Sequence, residues 1–298
     1  MVKKRGLLTA LTGGIISVLM VGTSLAAPID LQIGCRPQAM GGAFVAVADD
    51  INAGYWNPAG LNLVENKSFG FMHTNPFNIS DVSLDYVAFV SPNALSWMKG
   101  SLGLSYLKLA AKLEEGKDKH TNPMEDNVYT LSVGGTIWEN SLYYGVNAKA
   151  LGINTEEINR SGMGFDFGLL WKINKTFSLG MMMRNLSSHL GDENFTPERR
   201  FGVAGRFSNN RLIVSADYNN KKEVNSKEDY WGSHFGAEGW LTKSLALRVG
   251  FDRGNLTAGF GFKFGTGKGF PAGILDYSYA KNEELNYTHR FSLTVLFK

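Results

Sequence analysis

The sequence predicts an all-β fold, a transmembrane antiparallel β-barrel of about 14 strands with an N-terminal plug in its lumen. Three observations lead to this prediction. Large apolar residues alternate with small or charged ones along most of the chain after residue 66. The alternating segments are about 10 to 13 residues long, closer to the 9 to 11 of membrane strands than to the 5 or 6 of soluble ones. Long and short connections between these segments alternate along the chain.

The composition excludes several other classes of protein. Of 298 residues, 35 are glycine, 8 are proline and 12% are aromatic, a combination that favours strands over disorder. The only long apolar run lies at the N-terminus, whereas a polytopic helical membrane protein needs several runs of about 20 apolar residues. A single cysteine, Cys35, excludes a disulfide framework and a cysteine-based zinc site.

Residues 1–26 have the features of a secretory signal peptide, with an uncleaved anchor helix as the alternative. Lys3–Arg5 form the charged start, Gly6–Val21 is apolar, and Ser24–Ala26 has small residues at the cleavage positions. The whole chain has 30 basic and 27 acidic residues, so removing these three basic residues leaves 27 of each. A neutral mature chain gives no reason to expect a nucleic-acid partner.

Residues 27–66 lack the alternation and are predicted to form the plug. The small residues of Ala39–Ala48 allow a compact helix or turn that packs tightly inside a barrel. Pro58 disfavours a helical Asn57, and the Asn57 amide is able to bond lumenal backbone. Two neighbouring aspartates are expected to pair with lumenal arginines. The candidate plug residues are Gly41, Gly42, Asp49, Asp50, Asn57, Pro58 and Ala59.

Residues 67–298 are predicted to form the barrel. Leu245–Asp252, for example, places large apolar side chains on one face and small or charged ones on the other. A soluble β-sandwich gives the same alternation and is the alternative fold. The predicted strands span approximately residues 67–75, 81–91, 99–109, 127–138, 141–153, 161–173, 175–185, 197–207, 210–220, 230–241, 243–253, 255–264, 271–281 and 286–297.

The charged face of each predicted strand is expected to line the lumen. An arginine or lysine that faces lipid at the bilayer midplane costs about 2–4 kcal/mol, so the apolar faces should meet the membrane. The candidate lumenal charges are Arg206, Arg248, Asp252, Lys263 and Arg290. Asp85 is assigned to the same face.

The connections between the predicted strands distinguish the two folds. Ala110–Asp126 and Leu186–Thr196 are long, whereas Glu139–Asn140 and Ser208–Asn209 are tight. Outer-membrane barrels place tight turns in the periplasm and long loops outside the cell. A soluble sandwich has no reason to alternate in this way. Three connections break the pattern: Gly254 is short where a long loop is due, and Pro92–Met98 and Gly265–Phe270 are longer than expected on the periplasmic side. The series as a whole favours the membrane barrel.

The predicted plug also carries a family resemblance. Met40–Phe44, Ala48–Asp50 and Trp56–Leu61 resemble the N-terminal motifs of the PorV/PorQ family, within the superfamily of FadL-type long-chain fatty-acid transporters. Cys35 stands where that family has a small residue. The resemblance implies an outer-membrane barrel whose lumen holds a plug. It also implies, for the transporters of the superfamily, that ligands leave sideways through an opening in the wall.

Two functions stay open. The first is a plugged channel for hydrophobic or amphipathic small molecules. The second, which the PorV resemblance implies, is a non-transporting scaffold or cargo shuttle of a type IX-like protein secretion system. Either function implies the outer membrane of a Gram-negative-type bacterium. The expected partners are outer-membrane lipid, the barrel-assembly machinery, and either a hydrophobic small-molecule ligand or secretion-system proteins, without nucleic acid.

No catalytic, metal or cofactor site is predicted, and the chain is not expected to be an enzyme. The five histidines are scattered without the spacing of a metal site. Gly265–Gly269 is similar to a phosphate-binding loop but lacks the Ser or Thr after Lys268 and the upstream glycine at the required spacing. Met181–Met183 point to alternate faces of a predicted strand and form no cofactor site.

Overall fold

The structure is a computed structural model that describes residues 32–115, 120–139, 141–156, 159–222, 229–265, 271–282 and 286–297. The predicted signal peptide, residues 1–26, lies outside the described residues, as do residues 27–31 of the predicted plug. The connection predicted at Glu139–Asn140 is described only up to Glu139.

The described residues form sixteen β-strands in one sheet. In chain order they are β1 (Lys67–Thr74), β2 (Val82–Leu95), β3 (Gly100–Glu115), β4 (His120–Trp138), β5 (Leu142–Asn154), β6 (Asn159–Lys172), β7 (Phe177–Arg184), β8 (His189–Leu190), β9 (Glu193–Asn194), β10 (Glu198–Phe207), β11 (Leu212–Lys222), β12 (Asp229–Trp240), β13 (Leu245–Asp252), β14 (Asn255–Phe264), β15 (Ala272–Ala280) and β16 (Thr288–Phe297).

Fourteen of the sixteen described strands close a barrel, and the other two, β8 and β9, form a small hairpin that pairs with β6. Consecutive barrel strands pair antiparallel, with β7 next to both β6 and β10. The ladder between β1 and β16, which runs from Lys67 opposite Phe297 to Thr74 opposite Arg290, completes the closure. The predicted all-β antiparallel barrel of about 14 strands is confirmed.

The two ends of the barrel differ in their connections. We call the end where β3 meets β4 and β7 meets β10 the long-loop end, and the opposite end the short-turn end. Residues 173–176, 208–211 and 241–244 make the tight turns of the short-turn end. At the long-loop end, residues 185–197 include the hairpin of β8 and β9. The connection between β13 and β14 is also tight there, because Arg253 and Gly254 both have positive φ, 52° and 88°, as a two-residue hairpin turn requires.

The hairpin of β3 and β4 corrects one predicted loop. The sequence predicted a long loop at Ala110–Asp126, but the ladder continues from Ala110 opposite Glu125 to Glu115 opposite His120. The apolar alternation stops in this stretch, whereas backbone hydrogen bonds between strands require no apolar side chains. The loop between the two strands is therefore confined to residues 116–119, which lie outside the described residues.

Side-chain exposure follows the predicted alternation. Leu247 is 48% exposed on the outer face of β13, whereas its neighbour Arg248 is 4% exposed on the inner face. The same parity holds for Val249 and Phe251, which are exposed, and for Asp252, which shares the inner face. The barrel thus has an apolar outer face and a lumen that contains charged side chains.

Asp85 is an exception to the predicted facing. The sequence assigned it to the lumen, but it lies on the outer face of β2, and its Oδ1 is 2.7 Å from Nδ1 of His73 on β1. Its strand position is close to the long-loop end. An outward charge near the membrane interface costs little, about 0–1 kcal/mol, so alternation alone assigns the facing of strand ends poorly.

The residues before β1 form short helices joined by irregular backbone. Helix α1 spans Cys35–Ala39, helix α2 spans Ala53–Trp56, and a 3-10 helix spans Pro58–Leu63. Asn57 is extended and its side chain accepts a hydrogen bond from the backbone N–H of Ala59, which caps the 3-10 helix. Further 3-10 turns span Pro76–Asn78 and Ser96–Met98. None of the described helices is long and apolar enough to cross a membrane.

Replacing Leu247 with arginine is expected to impair barrel assembly. An arginine facing lipid near the midplane costs about 2–4 kcal/mol, and this position lies on the apolar outer face. The heat-modifiable mobility of the folded barrel on gels should be lost or greatly reduced. Asn127→Arg, at an outward position of β4 close to the long-loop end, is the control and should assemble normally. Equal assembly of both variants would contradict the assignment of the outer face to lipid.

Candidate functional site

The residues before β1 are enclosed by the barrel wall. We call residues 32–66 the N-terminal segment. Its largest fully buried side chains are Ile33, Met40, Phe44, Trp56 and Leu61. They form a common apolar core with inward-facing residues of β1, β2, β10 and β11. Burial of several large apolar side chains in this way favours the seated position of the segment.

The barrel wall satisfies the carbonyl groups of the N-terminal segment. Irregular backbone inside a barrel has few internal hydrogen bonds, so its carbonyls need other donors. Inward-facing side chains from six strands supply them. The pairs are Thr257 to Ala39, His234 to Gly41, Arg200 to Gly42, Ser215 to Ala43, Ser178 to Ala46, Arg206 to Val47, Asn147 to Gly54 and Arg184 to Tyr55.

Asp217 on β11 satisfies backbone N–H groups of the same segment. Its Oδ2 accepts hydrogen bonds from the N–H of Phe44 at 2.8 Å and of Val45 at 2.9 Å. The side chain is buried, and a buried carboxylate is stabilised by such donors. The barrel wall therefore satisfies both carbonyl and N–H groups of the N-terminal segment.

An ionic cluster connects the N-terminal segment to the wall through Arg36. Its guanidinium donates to both carboxylate oxygens of Glu238 on β12, from Nε at 2.7 Å and from Nη2 at 2.9 Å. Nη1 donates to Asp49 at 2.6 Å and to Asp50 at 3.1 Å. The bidentate contact with Glu238, which is fully buried, fixes the orientation of Arg36. Arg36 thereby joins α1, the stretch before α2 and the barrel wall.

Two further arginines extend this cluster. Arg206 donates to Asp49 at 3.2 Å, and Arg248 donates to Glu238 at 2.7 Å and to Asp276 at 2.6 Å. The complete cluster holds three arginines and four carboxylates. Its members are Arg36, Arg206, Arg248, Asp49, Asp50, Glu238 and Asp276.

The two aspartates of the segment differ in their electrostatic environment. Burial acts to raise the pKa of Asp49, but the charges of Arg36 and Arg206 outweigh it and hold that pKa below its ordinary value. Burial raises the pKa of Asp50 above its ordinary value, and the charge of Arg36 offsets only part of the effect. Asp49 is thus the firmly ionised member of the pair, and Asp50 the one that binds a proton more readily.

The predicted plug residues all lie in this enclosed segment. Gly41 and Gly42 have positive φ, 64° and 76°. The Asn57 amide donates to the carbonyls of Val45 and of Leu169 on β6, each at 2.9 Å, as expected for a bond to lumenal backbone. Pro58 and Ala59 are buried against the wall in the 3-10 helix.

The predicted lumenal charges lie on the inner face but serve different contacts. Arg206 pairs directly with Asp49, whereas Arg248 reaches the segment only through Glu238. Asp252 pairs with His234 at 3.0 Å and with Arg253 at 3.1 Å. The remaining two predicted lumenal charges are Lys263 and Arg290. Lys263 lines a cavity of about 250 Å³ next to Arg36 and Asp50, and Arg290 is buried on β16.

Sequence reasoning did not single out Arg36, Asp217 and Glu238 as contacts of the N-terminal segment. Arg36 is the one basic residue of residues 27–66, which is a signal that could have identified it. Glu238 and Asp217 lie on the predicted lumenal face, but their partners are 202 and about 173 positions away in the chain. No local pattern reports such a pairing.

On β2 to β5, the inner wall is largely apolar between the N-terminal segment and the long-loop end. Leu84 and Tyr86 on β2 are buried, and Leu107 and Leu109 on β3 are partly buried against the same core. Beyond them, half-buried apolar side chains continue along the inner faces of the next two strands. These are Val128 on β4 and Leu151 and Ile153 on β5.

The outer face of the same hairpin is charged. Lys108 on β3 lies 2.7 Å from Glu125 on β4, and Tyr106 donates to Asn127 at 2.6 Å. This part of the barrel is thus apolar inside and polar outside, the reverse of the arrangement around Arg248. Such a wall suits an apolar space on its inner side and a polar environment on its outer side.

Within the described part of the chain, no group of three or more His, Cys, Asp or Glu residues is arranged to hold a metal ion. Burial raises the pKa of the Cys35 thiol to about 12, so this thiol is protonated and unreactive at neutral pH.

Solved structures with a similar architecture are membrane channels. The CymD monoaromatic hydrocarbon channel aligns with a TM-score of 0.69 at 12% identity over 91% of this chain and 99% of its own. The Pseudomonas putida toluene transporter TodX aligns with a TM-score of 0.65 at 12% identity, over 90% of this chain and 98% of its own. A Pseudomonas aeruginosa FadL homologue aligns with a TM-score of 0.61 at 11% identity, over 86% of this chain and 95% of its own. The chain has the fold of FadL-type outer-membrane barrels. At these identities the likeness is one of fold alone.

No protein-family model matches the sequence, and no curated protein matches it either. The assignment to the PorV/PorQ family therefore stays a prediction from the motifs of the N-terminal segment.

Replacing Asp50 with asparagine is expected to change how stability depends on pH. A carboxyl whose pKa is raised by folding contributes stability that is present below its ordinary pKa of about 3.9 and is lost as the pH rises through the raised value. The wild-type midpoint of thermal unfolding should therefore fall, relative to that of Asp50→Asn, as the pH rises above about 4. Asp81→Asn, at an exposed aspartate, is the control and should keep the wild-type profile. Identical profiles for all three proteins would contradict the assignment.

Proposed function

We propose that this protein is an outer-membrane channel for hydrophobic or amphipathic small molecules. The single observation that carries the proposal is the reversed polarity of the β3–β4 hairpin. Leu107 and Leu109 face inward there, while Lys108 and Glu125 face outward. An apolar inner wall in a polar setting is unfavourable for a water-filled pore and suits a pathway for apolar solutes.

In this proposal residues 27–66 act as a plug. The N-terminal segment fills the lumen between the apolar inner wall and the short-turn end, and its contacts come from strands all around the barrel. The ionic cluster at Arg36 holds it in place. A solute that enters from the long-loop end meets this segment before it reaches the other end.

The proposed location is the outer membrane, with the long-loop end outside the cell and the short-turn end in the periplasm. The support comes from the fold shared with outer-membrane channels and from the band of exposed apolar side chains around the barrel. Residues 1–26 would then direct export, and the barrel-assembly machinery and membrane lipid would be its partners.

The alternative is a scaffold or cargo shuttle of a type IX-like secretion system. Its support is the resemblance of Met40–Phe44 and Trp56–Leu61 to the PorV/PorQ motifs. The two functions differ in one measurable respect, because a scaffold has no need to bind an apolar solute in its lumen.

The test is binding of a fluorescent apolar probe, N-phenyl-1-naphthylamine, to the full chain in lipid nanodiscs, with empty nanodiscs as the reference. We expect specific binding that weakens about tenfold in Leu109→Asn, because an inward apolar contact worth about 1.5 kcal/mol is lost. Ala110→Asn, the next residue and on the outer face, is the control and should bind as the wild type does.

Absence of specific binding to the wild type would contradict the channel. If, in addition, exported proteins accumulated in the periplasm of cells that lack this protein, the scaffold would be the better function.

A further inference from the structure

One carboxylate interrupts the apolar inner wall near the long-loop end. Asp126 lies on the inner face of β4 between Met124 and Val128. Its neighbours across the ladder are Leu109 on β3 and Ile153 on β5. All four neighbouring side chains on this face are apolar, so the surroundings of Asp126 provide hydrocarbon contacts and no charge partner.

Other inward-facing carboxylates have partners. Asp166 lies 2.6 Å from Lys149, Glu238 is bound by two arginines, and Asp252 lies 3.0 Å from His234. Oδ1 of Asp217 is enclosed without a partner, but its Oδ2 accepts two backbone N–H bonds. Oδ1 of Asp126 is likewise enclosed and has no hydrogen-bond partner within the described residues, and its neighbours on this face are apolar. A carboxylate among apolar groups lowers stability unless a donor satisfies it. Such a group in a folded protein calls for a functional explanation.

We propose that Asp126 is a specificity residue of the lumen that binds the hydrogen-bond donor of an otherwise apolar ligand. The inference rests on the proposed channel function and names its substrate class. The apolar side chains around Asp126 take the hydrocarbon body, and the carboxylate accepts from a hydroxyl group or a protonated amine.

The same geometry disfavours a ligand that ends in a carboxylate. An ionised carboxyl is an acceptor only, so two of them offer no hydrogen bond and repel each other in surroundings of low polarity. Specificity of this kind depends on repulsion of the carboxylate ligand as much as on the hydrogen bond to a donor ligand. Aromatic or aliphatic alcohols, phenols and amines are therefore the ligand class, and carboxylic acids are excluded.

The test compares four probes of equal skeleton: toluene, benzyl alcohol, benzylamine and benzoate. Their binding to the full chain in nanodiscs is measured by isothermal titration calorimetry. The wild type should bind benzyl alcohol and benzylamine about tenfold or more tightly than toluene, since a hydrogen bond to a charged group supports such a factor. Benzoate should bind most weakly. The two donor probes distinguish a hydroxyl ligand from an amine ligand.

Three variants make the test specific. Asp126→Leu should fold at least as well as the wild type, because it removes an unpartnered carboxylate, and it should bind all three uncharged or cationic probes alike. Asp126→Asn should keep the preference for benzyl alcohol and lose that for benzylamine, while its aversion to benzoate disappears. Asn127→Leu, next in sequence but on the outer face, should behave as the wild type does.

An equal preference for donor probes in the wild type and in Asp126→Leu would overturn the assignment of Asp126. So would toluene binding without any preference in the wild type, and in both cases the channel proposal would stand. If none of the four probes bound the wild type, the channel proposal and the role of Asp126 would fail together.

Discussion

Replacing Arg36 with methionine is expected to release the N-terminal segment and open the lumen. The cluster around Arg36 holds three arginines and four carboxylates, so the variant leaves two arginines for four carboxylates. Removing one partner of a buried ion pair costs about 3–5 kcal/mol. The bond between the segment and Glu238 is also lost. Conductance of the purified barrel in planar bilayers should rise from a closed baseline to frequent, long openings.

Two matched variants separate the role of Arg36 from a general change of charge. Arg36→Lys keeps the charge but lacks the planar fork that contacts Glu238 at two oxygens, so intermediate conductance is expected. Arg253→Gln removes an arginine at a hairpin turn of the long-loop end and should remain closed. If Arg36→Met stayed closed while it assembled normally, the cluster would not be what holds the segment.

The barrel itself could be predicted from the sequence because its signal is local. Each strand such as Leu245–Asp252 must present apolar side chains outward and polar ones inward, and this requirement repeats every second residue. The strand ends could not be predicted in the same way. In the β3–β4 hairpin the ladder continues to Glu115 opposite His120, because strand pairing needs only backbone hydrogen bonds and persists where the apolar alternation stops. Asp85 was assigned to the wrong face for the same reason.

The contacts of the N-terminal segment could be predicted only in part. The motif indicated an enclosed segment, and the expectation that an aspartate would meet a lumenal arginine agrees with Asp49 and Arg206. The sequence could not identify Glu238 as the partner of Arg36, since the two are 202 positions apart and many inward charges were equally available. Which inward charge meets which part of the segment depends on the path of irregular backbone, for which the sequence has no periodic signal.

The polarity of the lumen divides it into two parts. Around most of the barrel, inward charged side chains are paired with the N-terminal segment or with one another, as in Arg206 with Asp49 and Arg184 with Glu198. On β2 to β5, towards the long-loop end, the inner wall is apolar and Asp126 interrupts it. Since charges in a lumen are stable only with partners or water, the first part depends on the segment for its stability. Variants that displace the segment should therefore have large effects.

Replacing Gly250 with valine is expected to prevent the N-terminal segment from seating. Gly250 lies on the inner face of β13, and a Cβ atom there would lie 2.2 Å from the backbone nitrogen of Gly41 and 2.4 Å from the carbonyl carbon of Met40. Both are backbone atoms that flexible side-chain motion does not relieve. The segment is bonded to the wall on both sides of this contact, at Ala39 by Thr257 and at Gly42 by Arg200, so it has little freedom to move away. Overpacking of this kind costs about 1–3 kcal/mol or more.

The expected result is an assembled barrel with raised conductance and a protease-sensitive N-terminal segment. Strand closure between β1 and β16 does not involve Gly250, so heat-modifiable mobility should persist. Gly239→Val is the matched control, because a Cβ atom at Gly239 on β12 meets nothing within 4 Å and valine suits a strand. It should stay closed and protease-resistant. If conductance rose in both variants, or in neither, the position of the N-terminal segment would not decide whether the lumen is closed. Either result would refute the proposed plug.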